Sequence, residues 1–324
     1  MKASITTTIP VRNGQEFLLQ TLESLAAQTR RPDRVVILDN LSTDGTKKIV
    51  DGFKKLPLEW VPNTKELLDT FGNFNRCLDY SSETEYLHIL HADDCILPKF
   101  YEVMTQHLAD CDGRGMAWCL DERIDENNRR LSMSGKTDGK VEVLERDTFL
   151  ARKAEIGNQA FAATLLKTNY EPSPERFPLD MSILGDMVFW PKFGAHCKKI
   201  VTVNLALAQY RWHGSNETFF RSVSVDALVV DEWRTMQQVE ALRGKRTGFV
   251  RSMKLKGLLA VRAGIKAKRI RQMGNAAHGQ AVAMTARRYT GLPLWLAGQF
   301  LVELRDLVVF KLLGRPRHPR NVFS

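Results

Sequence analysis

The feature that most constrains this chain is an alternation in its first ninety or so residues, where short β-branched or apolar runs trade places with amphipathic stretches of helical spacing. "ASITTTIPV" is β-branched and short, and Asn13 and Gly14 break it. In "QEFLLQTLESLAAQ", Phe17, Leu18, Leu22 and Leu25 then fall on one helical face. "RVVILDN" is a continuous apolar run that stops at Asp39, and Ser42 or Thr43 stands where a helix cap is expected. Further strands are predicted at Leu58 to Val61 and at Glu85 to Leu90, with a helix from Phe71 to Tyr80 between them. Strands alternating with helices predict an α/β fold with a mainly parallel sheet covered on both faces.

In such a sheet ligands bind beyond the carboxyl ends of the strands. Arg12-Asn13, Asp39-Asn40 and Asp93-Asp94 all stand at those ends, so three stretches converge on one crevice. Adjacent carboxylates repel and lose hydration at the edge of a core, so Asp93 and Asp94 call for donors, water or a cation. Two readings compete for them. They could cap a helix starting near Pro98, or hold a hard divalent cation, Mn2+ or Mg2+. The converging loops favour the cation.

With 324 residues, 44% of them apolar, the chain can bury a sizeable core. Its five cysteines are scattered, with no CxxC pair, which argues against a disulfide framework or a structural zinc site and for a reducing compartment. Pro10 and Arg12 interrupt the N-terminal apolar run, so export is not expected. Charge is segregated: residues 241–324 carry 18 Lys and Arg against two Asp and Glu, whereas residues 1–240 carry 29 against 35. Such a basic segment meets something anionic, a membrane surface or a nucleic acid.

Five segments stand in a telling order: "TTTIPVRNGQEFLLQTLESLAAQT", "VVILDNLSTDGT", "GNFNRCLDYSSETEYLHILHADDCILP", "GDMVFW" and "YRWHGSN". Together they resemble the family 2 glycosyltransferases of the GT-A fold, of the inverting, bacterial surface-polysaccharide type, over roughly the first two thirds of the chain. The resemblance implies a GT-A domain over residues 1–222, with a nucleotide-sugar part (1–120) and an acceptor part (121–222), followed by a basic helical region (223–324). It implies that Thr8, Pro10, Arg12 and Asn13 wall the nucleotide, that Asp39 accepts a hydrogen bond from the base, and that Asp93 contacts the donor. An ionised carboxylate at that place reads the ring N–H of uracil or thymine, which points to a UDP- or dTDP-sugar.

The family's metal motif is an Asp-x-Asp, and here the aligned quartet is His91-Ala92-Asp93-Asp94, without the first carboxylate. The resemblance implies metal ligation by Asp93, Asp94 and the late His213. His91 is left between facing the ribose and packing at the strand end. In the aligned Gly185-Asp186, Gly185 replaces the family's common Glu, and Asp186 is the implied general base. Asn158 is the implied acceptor contact, and Trp190, near the implied base, is a candidate to stack on a sugar face, although anchoring its helix in the core is the favoured reading for it. The departures at His91 and Gly185 keep a second reading in play, a non-catalytic nucleotide-sugar binder.

From 241 to 290 no acidic residue occurs, and "FVRSMKLKGLLAVRAGIKAKRIRQM" interleaves cations with apolar residues at helical spacing. "GLPLWLAGQFLVELRDLVVFKLLG" approaches spanning length but carries Glu303, Arg305, Asp306 and Lys311, so a helix lying in the interface is expected. With no nucleic-acid recognition module in the sequence, the expected partners are an anionic membrane surface through residues 241–324, a nucleotide-sugar and a glycolipid or oligosaccharide acceptor. The expected location is the cytoplasmic face of the plasma membrane.

Overall fold

The computed structural model describes residues 4–155, 160–181, 184–214, 229–244 and 246–308. The chain divides into two compact units. Met1–Phe149, Asn158–Leu179 and Phe189–Asn216 form the first, and Leu150–Gly157, Asp180–Val188 and Glu217–Ser324 the second.

The first unit is built on one mixed sheet. Its strands are β1 (Ile5–Val11), β2 (Arg34–Asp39), β3 (Leu58–Pro62), β4 (Tyr86–Ile89), β5 (Cys95–Ile96), β6 (Gly115–Asp125), β7 (Arg130–Met133), β8 (Val141–Val143), β9 (Thr164–Lys167) and β10 (Lys199–Trp212). They are ordered β3-β2-β1-β4-β9-β6-β10-β5, with β7 beside β6 and β8 beside β10. The expected parallel pairing holds across β3-β2-β1-β4 and between β6 and β10. Between those blocks β9 runs against both neighbours. The registers Val11↔Asp39 and Thr8↔Ile89 bring the carboxyl ends of β1, β2 and β4 to one edge.

Helices α1 (Leu18–Ala26), α2 (Thr46–Gly52), α3 (Thr70–Leu78) and α4 (Phe100–Leu108) flank the sheet. Leu18, Leu22 and Leu25 of α1 and Phe100, Tyr101, Met104 and Leu108 of α4 pack with Ile5, Ile9, Val35 and Ile37 of the strands. Each such side chain contributes about 1.5–3 kcal/mol by leaving water. A separate aromatic cluster joins Phe71, Phe74, Phe161, Phe177, Phe189 and Trp190. Helix capping differs from expectation. Gly45 stands at the N-cap of α2, because Ser42 and Thr43 bond the neighbouring loop instead. Lys99 stands at the N-cap of α4, so neither Asp93 nor Asp94 caps it. All five cysteines are free thiols.

Two helices, α5 (Arg146–Ala154) and α6 (Gly185–Ala195), carry the chain between the units. The second unit contains α7 (Asp231–Ala241), α8 (Phe249–Gln272), α9 (Ala276–Thr290) and α10 (Leu292–Asp306). Its core joins Met236 and Val239 of α7, Leu255, Leu259 and Ala263 of α8, Val282 and Ala286 of α9, and Trp295 of α10. A Cβ on Gly298 would meet Ala260 Cβ at 2.8 Å, so only glycine lets α10 lie this close to α8. Much of the basic face expected on α8 is consumed inside the unit. Arg262 and Lys266 hold the buried Glu232, Arg251 holds Glu155 and Glu240, and Lys268 holds Glu303 and Asp306. Helix α10 turns Trp295, Gly298 and Val302 inward and leaves Leu292, Leu296, Phe300, Leu301 and Leu304 exposed. Among the described residues, no helix is long and apolar enough to cross a membrane.

Candidate functional site

The loop after β1 is laced to the loop after β2. Asn13 N donates to Ser42 Oγ at 2.9 Å, Asn13 Oδ1 accepts from Thr43 N at 2.8 Å, and Gly14 N donates to Thr46 Oγ1 at 2.8 Å. Gln15 joins the lacing by donating its amide to Asp44 Oδ2 and accepting from Gly45 N. Leu41, beside Asp39, sits at a φ of 60°, a left-handed conformation that disfavours leucine. Its neighbours hold it there: Asn40 donates to Val11 O and to Leu68 O and accepts from Leu68 N and Asn63 Nδ2, and Ser42 is pinned to Asn13.

Asp39 closes β2 as a buried residue. Its carbonyl accepts from Asn63 N and from Arg76 at 2.8 Å each, so the backbone is fixed from two sides. Among the described residues, both carboxylate oxygens take only long contacts, 3.3 Å, from Ser42 N, which leaves acceptor capacity for a further donor. Arg12 and Asn13 are exposed beyond the end of β1. Pro10 is buried within that strand, and Thr8, also buried, donates to His88 O at 3.2 Å.

The paired aspartates follow β4, and the pairing of β5 with β10 sets what faces them. Ala208 opposite Ile96 and Gln209 opposite Cys95 bring the end of β10, with Arg211 and His213, alongside Asp93 and Asp94. His213 Nε2 lies 2.9 Å from Asp93 Oδ2. Arg211 is fully buried. Its amide donates to Asp94 Oδ1 at 2.9 Å, and its guanidinium donates to Asp93 O, Asn128 Oδ1, Gln20 Oε1 and Asp125 O while stacking on Phe17. Phe17 also packs against the His213 ring, with centroids 4.6 Å apart. One arginine thereby fixes the aspartate turn to α1 and to the β6–β7 hairpin.

His91, Asp93 and Asp94 form the cluster in which one donor atom from each residue lies within 4.8 Å of the others. Burial works against the charge of Asp93, yet the His213 contact and the nearby His91 hold its carboxyl below the usual range. Burial first, and the charge of Asp93 second, push Asp94 well above that range. Asp94 Oδ1 is bonded to Arg211, whereas Oδ2 is buried without a hydrogen-bond donor among the described residues. A divalent cation fits this donor set, because it would relieve both the repulsion and the unsatisfied oxygen.

In the second unit, Asp186 lies half-buried in the first turn of α6. Burial pushes its carboxyl up to about 6 against the pull of the Met187 amide, its own amide and the Lys153 charge. Burial lowers the Lys153 ammonium to about 7, opposed by Asp186. Trp190, 2% exposed, meets Phe161 and Phe189 at steep ring angles and is enclosed in the aromatic cluster. Asn158 lies outside the described residues. Sequence reasoning assigned no role to Arg211 and none to His91 in the cluster. A lone arginine inside "YRWHGSN" was the available signal, but its meaning depends on the β5–β10 pairing.

Residues 6–164 match the profile of Glycosyl transferase family 2. No curated protein matches the sequence. The fold is similar to that of S. aureus TarS 1-349 in complex with UDP-GlcNAc, at 15% identity and a TM-score of 0.65, covering 93% of this chain and 92% of that one. TarS 1-349 in complex with UDP is similar at 14% identity and a TM-score of 0.52, covering 97% and 93%. Against S. aureus TarS itself the match is 14% identical with a TM-score of 0.55, and covers 92% of this chain but 55% of that one. With its sheet, its ordered motifs and these matches, the chain has the GT-A fold, and its residues 6–164 are a glycosyl transferase family 2 segment.

Proposed function

We propose that the protein is an inverting, metal-dependent glycosyltransferase. It moves a sugar, a hexosyl or N-acetylhexosaminyl group, from a UDP- or dTDP-sugar to a hydroxyl of a glycolipid or polysaccharide acceptor in cell-surface polysaccharide synthesis. The observation that carries this reading is the gathering of Asp39, the Asn13 loop and the Asp93-Asp94 turn at the carboxyl edge of one sheet. The donor class is supported by the unfilled acceptor capacity of the Asp39 carboxylate and by the UDP and UDP-GlcNAc complexes of TarS, which has the same fold.

In this account Arg12 and Asn13 border the nucleotide beyond β1, with Thr8 and Pro10 as its buried support, and Asp39 reads the base. Asp93 and Asp94, with His213 at Asp93, would hold Mn2+ or Mg2+, and such a cation would supply positive charge to the departing diphosphate. Asp186 takes the proton of the acceptor hydroxyl as that oxygen forms its bond to the anomeric carbon. The bond from that carbon to the diphosphate oxygen breaks in the same displacement, and the nucleoside diphosphate leaves with the electron pair, which inverts the anomeric centre. A carboxyl lifted to about 6 is better suited to accept a proton near neutrality than an ordinary aspartate. Asn158 stands on the acceptor side of the proposal, whereas Trp190, enclosed in the aromatic cluster, serves packing.

The acceptor class rests on the second unit. The outward apolar face of α10, with Phe300 68% exposed, and the exposed Arg271, Arg287 and Arg288 suit an anionic lipid surface at the cytoplasmic face of the membrane. The test is transfer from a panel of UDP- and dTDP-sugars, with Mn2+, to membrane glycolipid extracts. Release of nucleoside diphosphate with an inverted anomeric product supports the proposal. Donor binding without turnover under any acceptor would instead favour the non-catalytic binder.

A further inference from the structure

We propose that His91 is a nitrogen ligand of the divalent cation and that it biases the site toward Mn2+ over Mg2+. The inference rests on the metal reading of the Asp93-Asp94 turn and adds to it the residue that stands where the resembled family has a carboxylate.

Three observations place the imidazole in this role. His91 Nδ1 lies 3.8 Å from Asp94 Oδ2. That separation is too long for a hydrogen bond. It suits two atoms that share one ion, since donors each about 2.1 Å from a cation stand no more than about 4.2 Å apart. Asp94 Oδ2 is itself enclosed, on a side chain 1% exposed, with no hydrogen-bond donor among the described residues. A buried oxygen in that state costs free energy until a cation or a donor reaches it, and the His91 nitrogen stands on that side. Finally, the imidazole is held in place, packed on Phe74 with centroids 4.9 Å apart and on Phe161 at 4.4 Å. A ring clamped in this way gives up little rotational freedom when it binds.

The reading of His91 as a mere packing residue explains the two phenylalanine contacts but not the Asp94 oxygen turned toward its Nδ1. His213 is placed differently, because its Nε2 is engaged with Asp93 Oδ2 and it is not one of the three clustered residues. It steadies a ligand, as an outer partner does. The consequence for selectivity is chemical. Mg2+ favours oxygen donors and retained water, whereas imidazole suits transition metals, and affinity for a mixed nitrogen and oxygen site rises from Mn2+ toward Co2+ and Ni2+.

Pulsed EPR of Mn2+ bound to the full chain tests this without relying on turnover. A histidine 14N coupling is expected in the wild type. It should change to the 15N pattern on 15N-histidine labelling, persist in His213→Gln and vanish in His91→Asp. Competition titration should show His91→Asp still binding Mn2+ but with the Mn2+ to Mg2+ affinity ratio lowered by roughly tenfold or more, the scale at which changes around a metal act. Labelling and His213→Gln decide the matter even if His91→Asp folds poorly. Mn2+ bound through Asp93 and Asp94 with no nitrogen coupling, or a coupling that disappears in His213→Gln and survives in His91→Asp, overturns the role of His91 alone. Mn2+ binding undiminished in Asp93→Ala and Asp94→Ala overturns the metal reading and this inference with it.

Discussion

In the first unit, Asp94 is enclosed with one carboxylate oxygen turned toward His91 and no hydrogen-bond donor on it among the described residues, whereas in the second Glu232 is just as enclosed but gripped by Arg262 and Lys266. Burial raises the carboxyl of Asp94 and the neighbouring Asp93 raises it further. Burial acts on Glu232 in the same sense, but the two cations outweigh it and hold that carboxyl below the usual range. The same side-chain chemistry therefore does two kinds of work. At the sheet edge charge is left incompletely matched, which the proposed ion and diphosphate would answer. In the helical unit the buried acids are neutralised from within, and what is left outside is a surplus of cations and an apolar helix face.

The comparison can be broken most sharply at Asp186. Asp186→Asn is expected to cut turnover by about 10²–10⁴-fold with donor binding retained, as loss of a general base does. In the unchanged protein the rate should rise with pH through about 6, because the carboxyl must be deprotonated to act, and this limb should be missing in the variant. A stopped assay across pH with saturating donor checks both. Next in size, Glu232→Ala strands two cations, one of them buried, and should lower stability by about 3–5 kcal/mol in denaturant unfolding, more than Glu232→Gln does.

Smaller effects are expected at the outward faces. Phe300→Glu with Leu296→Glu should weaken flotation with anionic liposomes by at least the roughly 1.5–3 kcal/mol that burial of one large apolar side chain contributes, while leaving transfer to a soluble acceptor unchanged. Smallest of all is Asp94→Asn measured without cation. Its charge is already disfavoured by burial and by Asp93, and the amide oxygen can still accept from Arg211 N, so no measurable loss of stability should accompany the loss of metal affinity. A large loss there would erase the contrast with Glu232.

The alternation of strands and helices was legible because a strand's apolar run and a helix's spacing are local signals, and β1, β2, β4 and α1 follow them closely. The strand-end clustering of Asn13, Asp39 and Asp93 followed from the same periodicities. What was not legible depends on partners far apart in the chain. A two-residue strand, Cys95–Ile96, carries almost no local signal, yet its pairing with β10 brings Arg211 and His213 to Asp93 and Asp94. Ser42 and Thr43 have the chemistry of helix caps, but Asn13, 29 and 30 residues away, engages them instead. In α8 the sequence displayed cations at helical spacing without revealing that Glu155, Glu232 and Glu240 absorb several of them.

The central claim is that the Asp93-Asp94 turn and Asp39 form one cation-assisted site for a nucleotide-sugar. Isothermal titration of UDP into the full chain, with and without Mn2+, tests it most directly. The account predicts that Mn2+ strengthens UDP binding and that this gain is lost in Asp93→Ala and Asp94→Ala while Asp39→Ala weakens binding with or without the ion. UDP affinity indifferent to Mn2+ and to all three substitutions would contradict it.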